Sequence, residues 1–137
     1  MQSTTQAAPV SNKMLWTGRI VSALPVLLMV FTGAFGMLKP AVAVPGFVRY
    51  GYPEKLLLPI CIVEIACAII YVIPRTSVLG AILLTGYLGG ATVTHVRVGE
   101  PFYLPVIVGV LVWGELYLRD GRLRALIPLR SQPGQWV

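Results

Sequence analysis

Acidic residues are scarce in this chain. Five Asp and Glu stand against eleven Lys and Arg in 137 residues. Charged residues of both signs make up 12% of the sequence, against ~25% in soluble domains. That is too little charge to cover a water-facing surface of ordinary composition. Histidine occurs once, at His95, and cysteine twice, at Cys61 and Cys67. A four-ligand zinc site needs four such side chains, and there is no C-x-x-C pair. No metal site and no intrinsic cofactor is therefore expected. Cys61 and Cys67 fall in one predicted helix, separated by ~9 Å of rise. A disulfide needs Cα atoms within about 7 Å. Both cysteines read as small buried hydrophobes, and Cys61, nearer the outer face, is the better candidate for a reactive thiol.

What the chain has in quantity is apolar length. Hydrophobic residues make up 56% of it and the mean hydropathy is +0.78. The apolar residues gather in four runs, at about 16–38, 56–73, 77–94 and 102–118. A helix crossing a bilayer needs ~20 such residues, with a range of roughly 17–25. A crossing segment must also satisfy its backbone polar groups within itself. The fold class expected is therefore all-α, an integral membrane four-helix bundle over residues 14–118. The connections at 39–55, 73–77 and 96–101 hold the prolines and charges that separate the runs. Residues 1–13 show no periodicity and are expected to be flexible. The first run is longer than the ~7–15 apolar residues of a cleaved signal, so it reads as a span.

Lys and Arg placement sets orientation. Four spans put both termini on one side, with Lys13, Arg19, Arg75, Arg119, Arg122, Arg124 and Arg130. The opposite side holds Lys39, Arg49, Lys55 and Arg97. The first set is larger, so the termini are expected in the cytoplasm. The net charge of +6 then reads as topology and attraction to anionic headgroups, with no nucleic-acid partner. The basic tail, 119–137, is expected to lie along the interface with Leu123, Leu126 and Ile127 inward.

Ionisable groups inside a membrane are costly and mark function by default. Glu64 lies ~12 Å below the outer surface by helical rise, near the midplane. Cys61 and Cys67, three positions to either side, share its helix face. Tyr87 on the third run reaches a similar depth, and His95 is two turns above Tyr87, too far for direct contact. Glu64, Tyr87 and His95 are the candidate catalytic residues. The alternative for Glu64 is a structural bond to Tyr87 or to a threonine. Thr94, Arg97 and Cys61 are candidates for a polar mouth or ligand contact, with Glu100 nearby. Glu115, near the inner face, is expected to form a structural ion pair with Arg19. Gly86 and Gly90 form a G-x-x-x-G face that lets helices approach closely. Its partner is either Gly33 and Gly36 on the first run or a second copy of the chain.

The stretches "YVIPRTSVLGAILLTGYLGGATVTHVRVGEP" (71–101) and "ELYLRDGRLRALIPLR" (115–130), with the loop "GFVRYGYPE" (46–54), resemble the DoxX-like family of small four-helix bacterial membrane proteins. The resemblance covers nearly everything after Trp16. It implies a bacterial inner-membrane protein associated with redox enzymes, with a quinone the implied cofactor. The missing cysteine pair weakens a thiol-exchange role. Three functions follow as expectations. One is a redox-associated subunit that binds a quinone-like or other lipophilic small molecule beside a redox-enzyme partner. The second is an isomerase-like acid–base enzyme using Glu64 on a lipophilic substrate. The third is a structural or assembly protein that packs into homo-oligomers in the lipid bilayer.

Overall fold

Lys39 and Pro40 end the first helix. A residue before proline is pushed out of the helical region, and Lys39 sits at φ −127°, ψ 55°. Its N–H still closes the last turn on Phe35 O at 2.9 Å. The helix so terminated, α1, is Asn12–Leu38. The computed structural model describes residues 11–126, and every regular element among them is helical. After α1 come α2 (Pro40–Arg49), a single 3₁₀ turn (Glu54–Leu56), α3 (Leu57–Val72), α4 (Ser77–Arg97), α5 (Tyr103–Arg119) and α6 (Gly121–Leu126).

Three helical stretches are long and apolar enough to cross a membrane: Leu15–Leu38, Glu54–Val72 and Ser77–Arg97. Their outward faces are apolar too. On α1, Leu24, Leu27 and Phe31 remain 63%, 66% and 67% exposed. Water would not tolerate such a continuous apolar face, whereas acyl chains solvate it. α5 has 17 residues. The four long helices pack side by side, α1 against α3 and α5, and α4 against α3 and α5.

Close approach is set by glycines, though not by those the sequence pattern favoured. A methyl group at Gly33 would lie 2.8 Å from the Ile65 side chain, and one at Gly36 2.6 Å from Cys61 Sγ. A methyl at Gly80 would collide with the backbone of Tyr71. These three close the α1–α3 and α3–α4 seams. Gly86 and Gly90 meet nothing within 4 Å of the same construction. The expectation that they pack against Gly33 and Gly36 is corrected: those two bed α3, and the G-x-x-x-G face of α4 is open within the chain.

The interior below this level is a continuous apolar cluster around Met29, Ala68, Tyr71, Ala81, Leu84, Val112 and Leu116. Leu123 of α6 joins it, because Asp120 Oδ1 caps the start of α6 by accepting from the Arg122 N–H at 2.8 Å. Leu126 is exposed, and Ile127 lies outside the described residues. So do residues 1–10 and the rest of the basic tail.

The segment 39–55 departs from its reading as a plain linker. Pro40 occupies the first turn of a helix, where its missing N–H costs nothing, so it starts α2 after ending α1. α2 packs on α1 and α3 and delivers the next residues over the end of α4.

Candidate functional site

Two tyrosines leave α2 in one turn. Tyr50 and Tyr52 flank Gly51, whose φ of +84° is open to glycine and strained for other residues. The turn lets both phenols reach the last turns of α4. Tyr52 Oη lies 2.8 Å from Thr94 Oγ1. Tyr50 Oη donates to Glu100 Oε2 at 2.7 Å and stands 3.5 Å from His95 Nε2. The Tyr50 and His95 rings meet tilted, 5.2 Å between centroids. Arg49 NH2 holds the other Glu100 oxygen at 2.9 Å. Accepting the tyrosyl proton, the Glu100 carboxylate pushes the Tyr50 pKa above its usual range, helped by burial and opposed by Arg49.

Below this mouth lie two neighbouring lobes of about 360 Å³ each. Tyr50, Tyr87, Ala91 and His95 line both. The outer lobe adds Phe47, Tyr52, Gly86, Gly90 and Thr94. The inner lobe reaches between the helices to Thr32, Glu64, Leu88 and Val108. Ligand pockets run from ~300 Å³ upward, mostly apolar with a few convergent polar groups, and each lobe fits that description. Glu64 is buried, and its Oε1 accepts a hydrogen bond of 2.6 Å from Thr32 on α1. Both partners foreseen for it stand beside it: Thr32 is bonded, and the Tyr87 hydroxyl faces the carboxyl in the same lobe.

The structure therefore brings Glu64, Tyr87, Thr94 and His95 to two neighbouring lobes that share Tyr87 and His95. Tyr87 and His95, two turns apart on α4, line the same lobes without bonding to each other. Two expected members do not line it. Cys61 is buried on the α1–α3 seam, its Sγ filling the notch left by Gly36, which corrects its assignment to the mouth. Arg97 is exposed and lies over Gly51, so its charge stays outside both lobes. The Arg19–Glu115 ion pair is also corrected. Arg119, one turn along α5, takes Glu115 instead, Nε to Oε1 at 3.2 Å. The hydroxyl of Tyr71 bonds Glu115 Oε2 and faces the Val112 carbonyl at 3.1 Å. Arg19 stacks over Trp16, 5.8 Å from its ring centre. Sequence reading missed Thr32, Tyr50 and Tyr52. The tyrosines were visible as the Y-G-Y in an otherwise apolar loop, a pattern that pairs two phenols with a turn.

Among the described residues, no three His, Cys, Asp or Glu side chains converge as metal ligands would. Glu64, Tyr87 and His95 can instead hold an oxygen-bearing organic group by hydrogen bonds.

Apolar helices of spanning length around a small, mostly apolar cavity define a helical membrane protein. The chain belongs to the DoxX-like family, whose profile matches residues 20–114. Comparison with curated proteins and with solved structures gave no match.

Proposed function

We propose that this chain is a membrane subunit that binds a lipophilic, ring-bearing small molecule of quinone-like class between its helices. The observation that supports the reading is the cavity itself: about 360 Å³ in its inner lobe, walled by Leu28, Met29, Leu88 and Val108, with Glu64, Tyr87 and His95 on the same wall. An apolar ring gains by leaving water or headgroups for such walls, and its oxygens find hydrogen-bonding side chains at the cavity's polar points. A quinone would supply redox chemistry when bound. The chain's own residues bind and orient the ring and hold protons at Glu64 and His95.

In this reading α5 is the fourth crossing, at ~26 Å of helical rise, completing a four-helix bundle. Both termini face the cytoplasm of a bacterial inner membrane, and a redox-enzyme partner supplies or takes the electrons. The direct test is binding of a short-chain benzoquinone and its hydroquinone to the protein in lipid nanodiscs. Saturable binding of either supports the reading, and the absence of both defeats it.

A second reading has one specific observation in its favour. Glu64 faces a cavity between helices, the geometry an acid–base enzyme on a lipophilic substrate requires. Turnover of a lipophilic alkene isomer by wild type and not by Glu64→Gln is its signature.

A further inference from the structure

The mouth of the cavity is built from groups whose protons are already engaged. A carbonyl only accepts, so the direction of each bond can be read. Thr94 Oγ1 donates its one proton to Gly90 O at 2.8 Å. The 2.8 Å bond between Tyr52 and Thr94 must then run from the phenol to the threonine oxygen. Tyr50 donates to Glu100 Oε2 at 2.7 Å, a carboxylate held in place by Arg49. His95 Nδ1 lies 2.7 Å from Ala91 O, so the neutral ring carries its proton on Nδ1. Its Nε2 is consequently a bare acceptor, and Tyr50 has no second proton to give it. The guanidinium groups of Arg49 and Arg97 line neither lobe. Four donors are committed, and what remains at this end is acceptor capacity: His95 Nε2 and the lone pairs of the two phenols.

From this pattern we infer that the outer end of the cavity recognises a hydroxyl group, so that the ligand is a phenol or hydroquinone-type molecule bound O–H first to His95 Nε2. A carbonyl or ether oxygen at the same position would face acceptors only and would leave a polar atom without a partner, which is costly away from water. The inference rests on the proposal that the cavity holds a lipophilic ring, and it adds which oxygen chemistry is chosen.

The test compares 4-hexylphenol with 4-hexylanisole, which differ by the hydroxyl proton, on the full chain in nanodiscs. The phenol is expected to bind about tenfold more tightly, the scale of one hydrogen bond. In His95→Phe, which keeps a ring beside Tyr50, the two probes should bind alike. Equal binding of phenol and anisole to the wild-type chain overturns the inference while leaving the cavity's ligand role intact. Binding of a short-chain benzoquinone without binding of the phenol does the same. Failure of all three probes overturns both proposals. An independent readout needs no variant: His95 is the chain's one histidine, so its ¹⁵N signals are unambiguous. The neutral ring should show a protonated Nδ1 and an unprotonated Nε2. The reverse tautomer refutes the assignment.

Discussion

Two carboxyls lie deep in this protein, and their surroundings differ more than their burial. Glu115 is 0% exposed and Glu64 8%. Glu115 is enclosed by Tyr71, Arg119 and the backbone of Gly18, and it joins the inner ends of α3 and α5. Glu64 is bonded to Thr32, has the Tyr87 hydroxyl beside it, and borders the inner lobe. A buried acid shared between a phenol and a guanidinium holds helices together. One that keeps a side free is available to a ligand. Depth in the membrane alone does not separate these cases; the packing around the group does.

That contrast can be broken by substitution, beginning at the tied end. Glu115→Ala leaves the Tyr71 hydroxyl and the Arg119 guanidinium without their common partner. Removing one member of a buried pair costs about 3 kcal/mol or more. Reversible unfolding in mixed detergent micelles should show the loss, and a loss no larger than that of Glu64→Gln would erase the distinction.

The glycines carry the same contrast to the helix seams. Gly80→Ala must push α4 away from the Tyr71 backbone and should cost about 1–3 kcal/mol, as overpacking does. Gly86→Ala and Gly90→Ala face open space and should stay within ~0.5 kcal/mol in the same unfolding assay. If these two are the damaging ones, the open face of α4 is covered by another molecule.

Glu64→Gln keeps an oxygen that can accept from Thr32, so its stability change should be near the ~0.6 kcal/mol typical of one hydrogen bond between membrane helices. Its effect should fall on ligand affinity instead, measured with the same probes in nanodiscs.

The smallest effect expected is at the mouth. Tyr50 has a raised pKa because it donates to Glu100, with burial adding to this. A proton held more firmly in the folded state stabilises that state. The contribution is complete below the ordinary tyrosine pKa of ~10 and is lost as pH rises through the higher folded value. A tyrosinate absorbance titration of wild type against Glu100→Gln should show one phenol ionising earlier in the variant, because Tyr50 has lost the carboxylate it donates to.

The helices were largely legible in the sequence because apolar run length is a strong signal in a chain with little charge. The expected runs at 56–73 and 77–94 correspond to α3 and α4 within a turn at each end. α2 was not legible, since Pro40 and Pro45 read as breaks and only the structure shows Pro40 at a helix start. Glu64, Tyr87, Thr94 and His95 were found as polar groups at membrane depth or at its rim. Thr32 was hidden because a threonine on a helix ordinarily turns to its own carbonyls, and Leu28 O and Met29 O lie within reach of its Oγ1. Arg19 was paired with Glu115 by depth alone. Depth omits direction around a helix, and Arg119 already sits one turn from Glu115 on the same face.

Gly51 carries a consequence beyond its own turn. Its left-handed backbone aims the two phenols that flank it at two consecutive residues of α4, Thr94 and His95. A β-carbon at that position would strain the turn that sets both contacts, the Tyr52 bond to Thr94 and the Tyr50 ring against His95. One torsion angle on the surface thereby governs how firmly the roof of the chamber is fastened.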